Sequence, residues 1–345
     1  MVKLKVVNWR CIENLELELG RVNIFIGKNS TGKSSLAYAI YFASKSARVE
    51  NPQSLLLQMY GHDFNEVARL VENKPQFPIS TKIDDSEFSV NKKEQEFKIN
   101  KLPRSPWTRE FLLPSKRISY IQILMLLPKI MSQLKSRPEA TLIASFATPL
   151  VELFKSLPIL PPFGIFAIDY LEASTGLKLP VLESKPRDIG SYIVKIHPLF
   201  ILIELIFQDP YTNLQLPLER APDGSIDFGI FDSMVERIPE NSLVVIEEPE
   251  IHKNPLTVKD FTEHIVKKVY NKKSTLIMTT HSDITLLALG KLVSEEKILK
   301  SEEIKIYYFK RDKCDPWSKI SEIKMYEDGT LDSLPDTEEV ITKLF

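Results

Sequence analysis

The segment NIFIGKNSTGKSSLAYAI, residues 23–40, constrains the fold more than any other stretch of the chain. Val22, Ile24, Phe25 and Ile26 are β-branched or aromatic and are followed by glycine, the pattern of a buried strand. Leu36, Ala39, Ile40 and Ala43 then recur at helical spacing. Between them Gly27, Lys28, Asn29, Ser30, Thr31, Gly32, Lys33 and Ser34 fit the pattern GxxxxGK[ST]. Glycines let such a loop curl until its N–H groups point inward, and the adjoining helix N-terminus adds partial positive charge. The pattern predicts a phosphate cradle at Gly27 to Ser35 for a nucleotide. Lys33 would reach the β- and γ-phosphates, and the Ser34 hydroxyl would face magnesium.

Charge and cysteine usage narrow the setting. A formal net charge of −1 gives no global drive toward nucleic acid, though a local basic patch is compatible with it. Cys11 and Cys314 fit neither a disulfide framework nor a metal cluster, so a reducing cytoplasm is expected. Met1 to Val7 reads as a strand, not as a signal peptide. The apolar stretch at Ile118–Leu134 is broken by Pro128 and Lys129, and Leu199–Phe207 is too short to span a bilayer, so no membrane anchor is expected.

Hydrolysis needs carboxylates at the end of a second strand. SLVVIEEPE, residues 242–250, supplies them: Leu243–Ile246 is continuously apolar and ends in Glu247 and Glu248, where open α/β sheets place ligands. Adjacent strand residues point to opposite faces, so the two acids take different parts. Glu247 is assigned to the magnesium shell and Glu248 to the attacking water. A third strand, Ser274–Thr280, ends at His281, where an imidazole can donate to the γ-phosphate. His62, His197, His252 and His264 lack that context.

GKNSTGKS, VVIEEPEIHKNP and IMTTHS together resemble the Walker A, Walker B with D-loop, and switch-histidine motifs of ABC-type ATPases. EEPE followed by IHKNP, and the opening LKVVNWRCIENLELELGRVNIFIGKNSTGKSS, resemble the soluble RecF, SMC and OLD branch. The resemblance implies a P-loop NTPase of ABC-ATPase-like α/β fold, with a mixed, largely parallel central sheet, an antiparallel β lobe and an inserted helical subdomain. It implies ATP and Mg2+ as cofactors, catalysis by Glu248, His281 and Lys33, and a phosphate contact from Arg10 of the Asn8-Trp9-Arg10 signature. It also implies an ATP-dependent homodimer, in which a signature segment reaches the partner's nucleotide. Gly224 and Ser225, in LPLERAPDGSIDFGIFDSMVERI, are the candidates for that segment, although Pro222 and Asp223 stand where relatives carry small hydroxyl residues. Glu247 stands where aspartate is commoner. Gln58, Gln76 and Gln95 all suit a Q-loop by spacing.

The intervening chain sets the organisation. Runs such as EFSV and QEFKI within Phe77–Leu102 predict an antiparallel lobe. Prolines at 128, 138 and 149 cut the stretch from Ile118 to about Leu157 into short helices, and without sustained heptads long coiled-coil arms are excluded. The chain divides into three regions: residues 1–117 as an N-terminal ATPase lobe, 118–198 as a mainly helical insertion and 199–345 as a C-terminal ATPase lobe. Because Phe345 comes directly after closing strands, nuclease or toxin chemistry is expected only from a separate effector. The leading expectation is an ATP-hydrolysing switch in genome maintenance or defence against foreign nucleic acid. A non-hydrolysing nucleotide sensor and a DNA-binding clamp resting on VKKVYNKKS, residues 266–274, are the alternatives.

Overall fold

The structure, a computed structural model, describes residues 1–123, 161–175, 181–183, 191–197, 202–217 and 220–333. In chain order, β1 (Val2–Trp9) and β2 (Ile12–Leu19) precede β3 (Val22–Gly27) and α1 (Lys33–Ser46). Then come α2 (Pro52–Tyr60), α3 (Phe64–Val67), β4 (Leu70–Val71), β5 (Lys74–Pro75), β6 (Ile79–Ile83), β7 (Ser86–Lys93), β8 (Glu96–Asn100) and β9 (Glu110–Leu113). The middle of the chain gives α4 (Phe163–Thr175), β10 (Val181–Glu183), β11 (Ser191–His197), β12 (Leu202–Gln208) and β13 (Gln215–Pro217). It continues with α5 (Asp223–Val235), β14 (Leu243–Glu247), α6 (Pro255–Asn271), β15 (Thr275–Thr280), α7 (Asp283–Ser294), β16 (Ile304–Lys310) and β17 (Lys319–Ile323). Local chemistry sets several boundaries. Asn51 and Asn254 each cap a helix by accepting from backbone amides of its first turn, with proline next in sequence at a position that has no intrahelical donor to lose.

The central sheet has the order β17-β16-β3-β15-β14-β9. All neighbours are parallel except β17, which closes one edge antiparallel to β16. Every residue of β3, β14 and β15 is buried, because side-chain alternation feeds two cores rather than one core and solvent. Ile24, Val244, Ile246 and Met278 face α5, α6 and α7. Phe25, Leu243, Val245 and Ile277 face α1. β14 is separated from β3 by β15, so the three expected motif strands lie side by side and end in the same direction.

The second sheet, β2-β1-β6-β7-β8, is wholly antiparallel and matches the lobe expected from Phe77–Leu102. Phe42 fastens it to α1: its ring lies 5.4 Å from Trp9, 6.1 Å from Phe64 and 5.1 Å from Phe88, the last two edge-to-face. The helix expected from Ile118 begins as helical turns at 117–123, and the rest of that segment to 157 lies outside the described residues. The described part of 118–198 holds helical turns and α4 together with β10 and β11. β10 and β11 pair with β12 and β13 in a four-stranded antiparallel sheet, and β11 meets β12 through its whole length, so the 198/199 boundary falls inside one β unit. Among the described residues, no helix is long and apolar enough to cross a membrane.

Replacing Phe42 by Ala removes one of the fully buried rings that join lobe and core. The expected cost is about 3–5 kcal/mol, from lost burial plus the cavity left behind. Phe42→Leu should cost less than half as much, and denaturant midpoints of the two variants check the pair.

Candidate nucleotide site

The loop after β3 reverses direction around Ser30, Gly27 and Gly32, all at positive φ. A Cβ on Gly27 would sit 2.4 Å from the Phe309 carbonyl oxygen, so this position requires glycine for space as well as for conformation. Lys33, buried at the start of α1, turns its ammonium into the loop and donates to the carbonyls of Gly27 (2.7 Å) and Lys28 (2.8 Å). Thr31 closes the loop from within, its hydroxyl donating to the Lys28 carbonyl at 2.8 Å.

Parity places the first carboxylate. Glu247 continues the Leu243–Val245 side of β14 toward α1, where it is buried. Its Oε2 accepts from the Tyr38 hydroxyl (2.8 Å) and the Ser115 amide (3.3 Å), and the Ser34 hydroxyl also bonds to its carboxylate. Burial pushes this carboxyl up, while hydrogen bonds from Ser34, Tyr38 and Ser115 oppose the rise. Ser34 and Tyr38 are i, i+4 neighbours on one face of α1, which is why both reach the same acid.

Glu248 leaves the strand. Its φ is 45°, a left-handed backbone at a residue that also precedes proline, so the conformation is strained twice over. The backbone amide still donates to Thr279 O at 2.8 Å, and the carboxylate turns toward His281, with Oε1 lying 3.4 Å from Nε2. The other ring nitrogen, Nδ1, is 3.4 Å from the Lys33 ammonium. An ammonium has only donors, so Nδ1 accepts and the Nε2 proton faces Glu248. The His281 hydrogen bond holds the Glu248 carboxyl below its ordinary range against the opposing effect of burial. Glu250 fixes the histidine from behind, its Oε1 accepting from the His281 amide (2.6 Å) and the Thr280 hydroxyl (2.9 Å).

Asn29 to Ser35, Arg10, Glu248 and His281 line one cleft of about 650 Å³. Arg10, at φ 52° in the β1–β2 turn, lies 5.1 Å from the Tyr60 ring and at the cleft wall. An all-oxygen donor pair, the Ser34 hydroxyl and the Glu247 carboxylate, fits magnesium, which keeps most of its waters and takes phosphate oxygens beside one or two protein ligands. Among the described residues, no three His, Cys, Asp or Glu side chains are grouped to hold a metal without a nucleotide.

A family model described as AAA ATPase domain matches residues 1–124. The DNA replication and repair protein RecF of Macrococcus caseolyticus is 29% identical over 140 residues, covering 39% of this chain and 34% of RecF. RecF of Bacillus thuringiensis is 27% identical over 140 residues, covering 40% and 33% respectively. Residues 1–124 thus match an ATPase domain model, and about two fifths of the chain is similar to RecF. The match spans about a third of the length of these curated relatives. The SMC head domain from Thermotoga maritima aligns with 93% of this chain and 98% of its own, at 11% identity and a TM-score of 0.47.

Three groups around the cleft were not legible as site residues. None of Gln58, Gln76 and Gln95 lines the cleft; the segment that reaches Glu247 is Pro114–Arg117 after β9, through a backbone amide that has no side-chain signature. Arg117 is fully buried and chelates Asp227 of α5 through Nε (2.5 Å) and Nη2 (2.6 Å), while Nη1 donates to Glu247 O at 2.6 Å. Lys253 of the D-loop bonds to the same Asp227 carboxylate. The signal for Asp227 was an acid inside the apolar run of α5, a place it shares with Asp232. Gly224 lies against this loop, a Cβ there being 3.6 Å from His252 O, and Ser225 is buried. Asp223 is exposed and pairs with His252 Nδ1 at 3.7 Å.

Burial raises the Asp227 carboxyl, but the charges of Arg117 and Lys253 outweigh it and leave the group below the ordinary carboxylate range. The folded state therefore binds this proton more weakly than the unfolded chain. Its stabilisation is present above the unfolded carboxylate range and is lost as pH falls through the depressed value. Asp227→Asn, which leaves two buried cations uncompensated, should cost about 3–5 kcal/mol at pH 7. In urea unfolding, the gap from wild type should narrow toward acid pH.

Proposed function

We propose that this protein binds ATP with magnesium and hydrolyses it, and that nucleotide occupancy switches its shape and its pairing with a second copy. The observation that supports this best is the contact chain Lys33–His281–Glu248, which brings an ammonium, an imidazole and a carboxylate from three separate segments to one end of the phosphate loop. In this reading Lys33 leaves the two loop carbonyls to neutralise the β- and γ-phosphates, while the loop amides of Asn29 to Ser35 cradle them. Ser34 and Glu247 hold magnesium, which when bound draws charge off the β- and γ-phosphate oxygens. Glu248, kept ionised by His281, takes the proton of the attacking water. His281 hydrogen-bonds the γ-phosphate and Arg10 contacts phosphate from the opposite wall.

Pairing is supported by the position of the first turn of α5 beside the D-loop. Two copies related head to tail would offer Gly224 and Ser225 of one to the nucleotide of the other, with the α5 dipole aligned toward phosphate. Because Ser225 is buried in the single subunit, its engagement requires that first turn to shift. Asp223 favours a second reading, a nucleotide sensor with little hydrolysis, since an exposed carboxylate at that position opposes an incoming phosphate. The relatives named for DNA replication and repair support a role in genome maintenance or in defence against foreign nucleic acid, in a reducing cytoplasm that leaves Cys11 and Cys314 as free thiols. Nuclease or toxin chemistry would come from a separate effector.

Glu248→Gln should lower ATP turnover by about 100-fold or more while ATP binding persists, whereas Lys33→Ala should remove binding. Light scattering of Glu248→Gln should show the mass doubling on addition of magnesium-ATP. Unchanged turnover in Glu248→Gln would sink the hydrolytic reading, and an unchanged mass would sink the pairing.

A further inference from the structure

The phosphate chemistry uses only one end of the cleft. Ala68, Leu70, Pro316 and Trp317 also line the cleft and have no part in that chemistry. We infer that Trp317 is the platform on which the base of a purine nucleotide stacks, and that Arg69 is the positioning residue that holds the indole for it. The inference rests on the ATP-binding reading of the same cleft and adds to it which residue receives the base.

Loop polarity fixes which end is which. Lys33, at the β- and γ-phosphate position, touches His281 and through it Glu248. The nucleoside must therefore leave in the opposite direction, past Ser35. Ser35 Oγ is 3.8 Å from Cys11 Sγ, and the Cys11 carbonyl accepts from the Ser318 amide at 2.8 Å, so the path along the wall leads from Ser35 to the residue next to Trp317.

Residues 311–318 form a strap whose position is set by the loop itself. Arg311 Nη1 donates to Ser30 O at 2.7 Å, and Ser318 Oγ donates to Thr31 O at 2.7 Å. Trp317 is thus anchored from both sides to the element that binds phosphate. Its indole is fixed independently by Arg69, whose guanidinium lies 4.7 Å from the ring centroid. That guanidinium is itself held by Glu13 at 2.7 Å and Asn8 Oδ1 at 2.9 Å. A half-buried indole held in this way, with Ala68 and Leu70 beside it, offers a flat apolar surface where a hydrated phosphate gains nothing and a π-face gains stacking.

The three tryptophans make the test direct. Trp9 and Trp107 are buried in the core, at 0% and 3% exposure, and the part of a ligand-dependent emission change that is lost in Trp317→Phe reports on Trp317. The probes are magnesium-ATP and magnesium-tripolyphosphate, with affinities read by calorimetry on wild type, Trp317→Ala and Trp317→Phe. Emission should change with ATP and not with tripolyphosphate. Trp317→Ala should weaken ATP by about 10- to 100-fold and leave tripolyphosphate unchanged, and Trp317→Phe should restore most of the loss. Equal ATP affinity in wild type and Trp317→Ala overturns the assignment, because the base then lies elsewhere. Parallel loss of ATP and tripolyphosphate in Trp317→Ala also overturns it, since the residue then merely props the strap on the loop. If Lys33→Ala binds ATP as wild type does, the phosphate reading of the cleft fails instead, a result distinct from either.

Discussion

The parallel hydrogen bonding of β3, β15 and β14 decides where chemistry can occur in this protein. Its register sets Glu247 opposite Thr279 and Ile26 opposite Thr280, so the ends of three strands from distant parts of the chain form one rim. An antiparallel neighbour would send the phosphate loop and the carboxylates to opposite edges. With the rim shared, side-chain alternation does the sorting. Glu247 falls on the α1 side and meets Ser34, while the chain turn at Glu248 swings the second acid toward His281.

The rim concentrates groups that are costly to bury, and each cost is met locally. An isolated carboxylate taken out of water costs several kcal/mol even after relaxation. Glu247 bears that cost with three donors, from Ser34, Tyr38 and Ser115, and still remains a raised carboxyl. Lys33 shows the same logic with opposite sign, as carbonyl dipoles of the loop receive its ammonium. These pairings are exchangeable. A phosphate offers Lys33 full charge in place of two dipoles, and a divalent cation offers Glu247 more than a hydroxyl proton can. Such a site gains most when both arrive together, which is the form in which a magnesium nucleotide comes.

Period and spacing carried the legible part of this fold, whereas contacts made by the backbone left no trace in the sequence. β3, α1, β14 and β15 were legible because continuous apolar runs or a 3.6 period bounded them, and the phosphate loop because its glycines are demanded by geometry. β10 and β13 were obscured by their shortness, and β12 by the absence of clear alternation in LIELIF. Glu247 is met by the amide of Ser115, and any residue except proline supplies an amide. Arg117 was hidden in a Ser-Lys-Arg run that reads as solvated. Trp317 lies in a loop whose importance comes only from the loop it touches.

The Arg117–Asp227–Lys253 cluster shows what such hidden residues are for. Replacing buried ions by apolar groups of similar volume is often neutral or favourable, so stability alone gives little reason to keep three charges in the interior. Their geometry gives a better one. Glu248 sits in a left-handed, pre-proline conformation that costs on the order of 1–3 kcal/mol. Its amide is held by Thr279, and Arg117 donates to the carbonyls of Glu247 (2.6 Å) and Glu248 (3.4 Å), one on each side of the strained residue's Cα. Arg117 can make those bonds only while Asp227 orients its guanidinium, and Asp227 is carried by the helix whose first turn contains Gly224 and Ser225. The strained turn that aims the second acid and the helix whose first turn carries Gly224 and Ser225 are therefore fixed by one carboxylate. A displacement of either must stretch bonds to the other, because an apolar core in the same place would transmit no directional constraint between them.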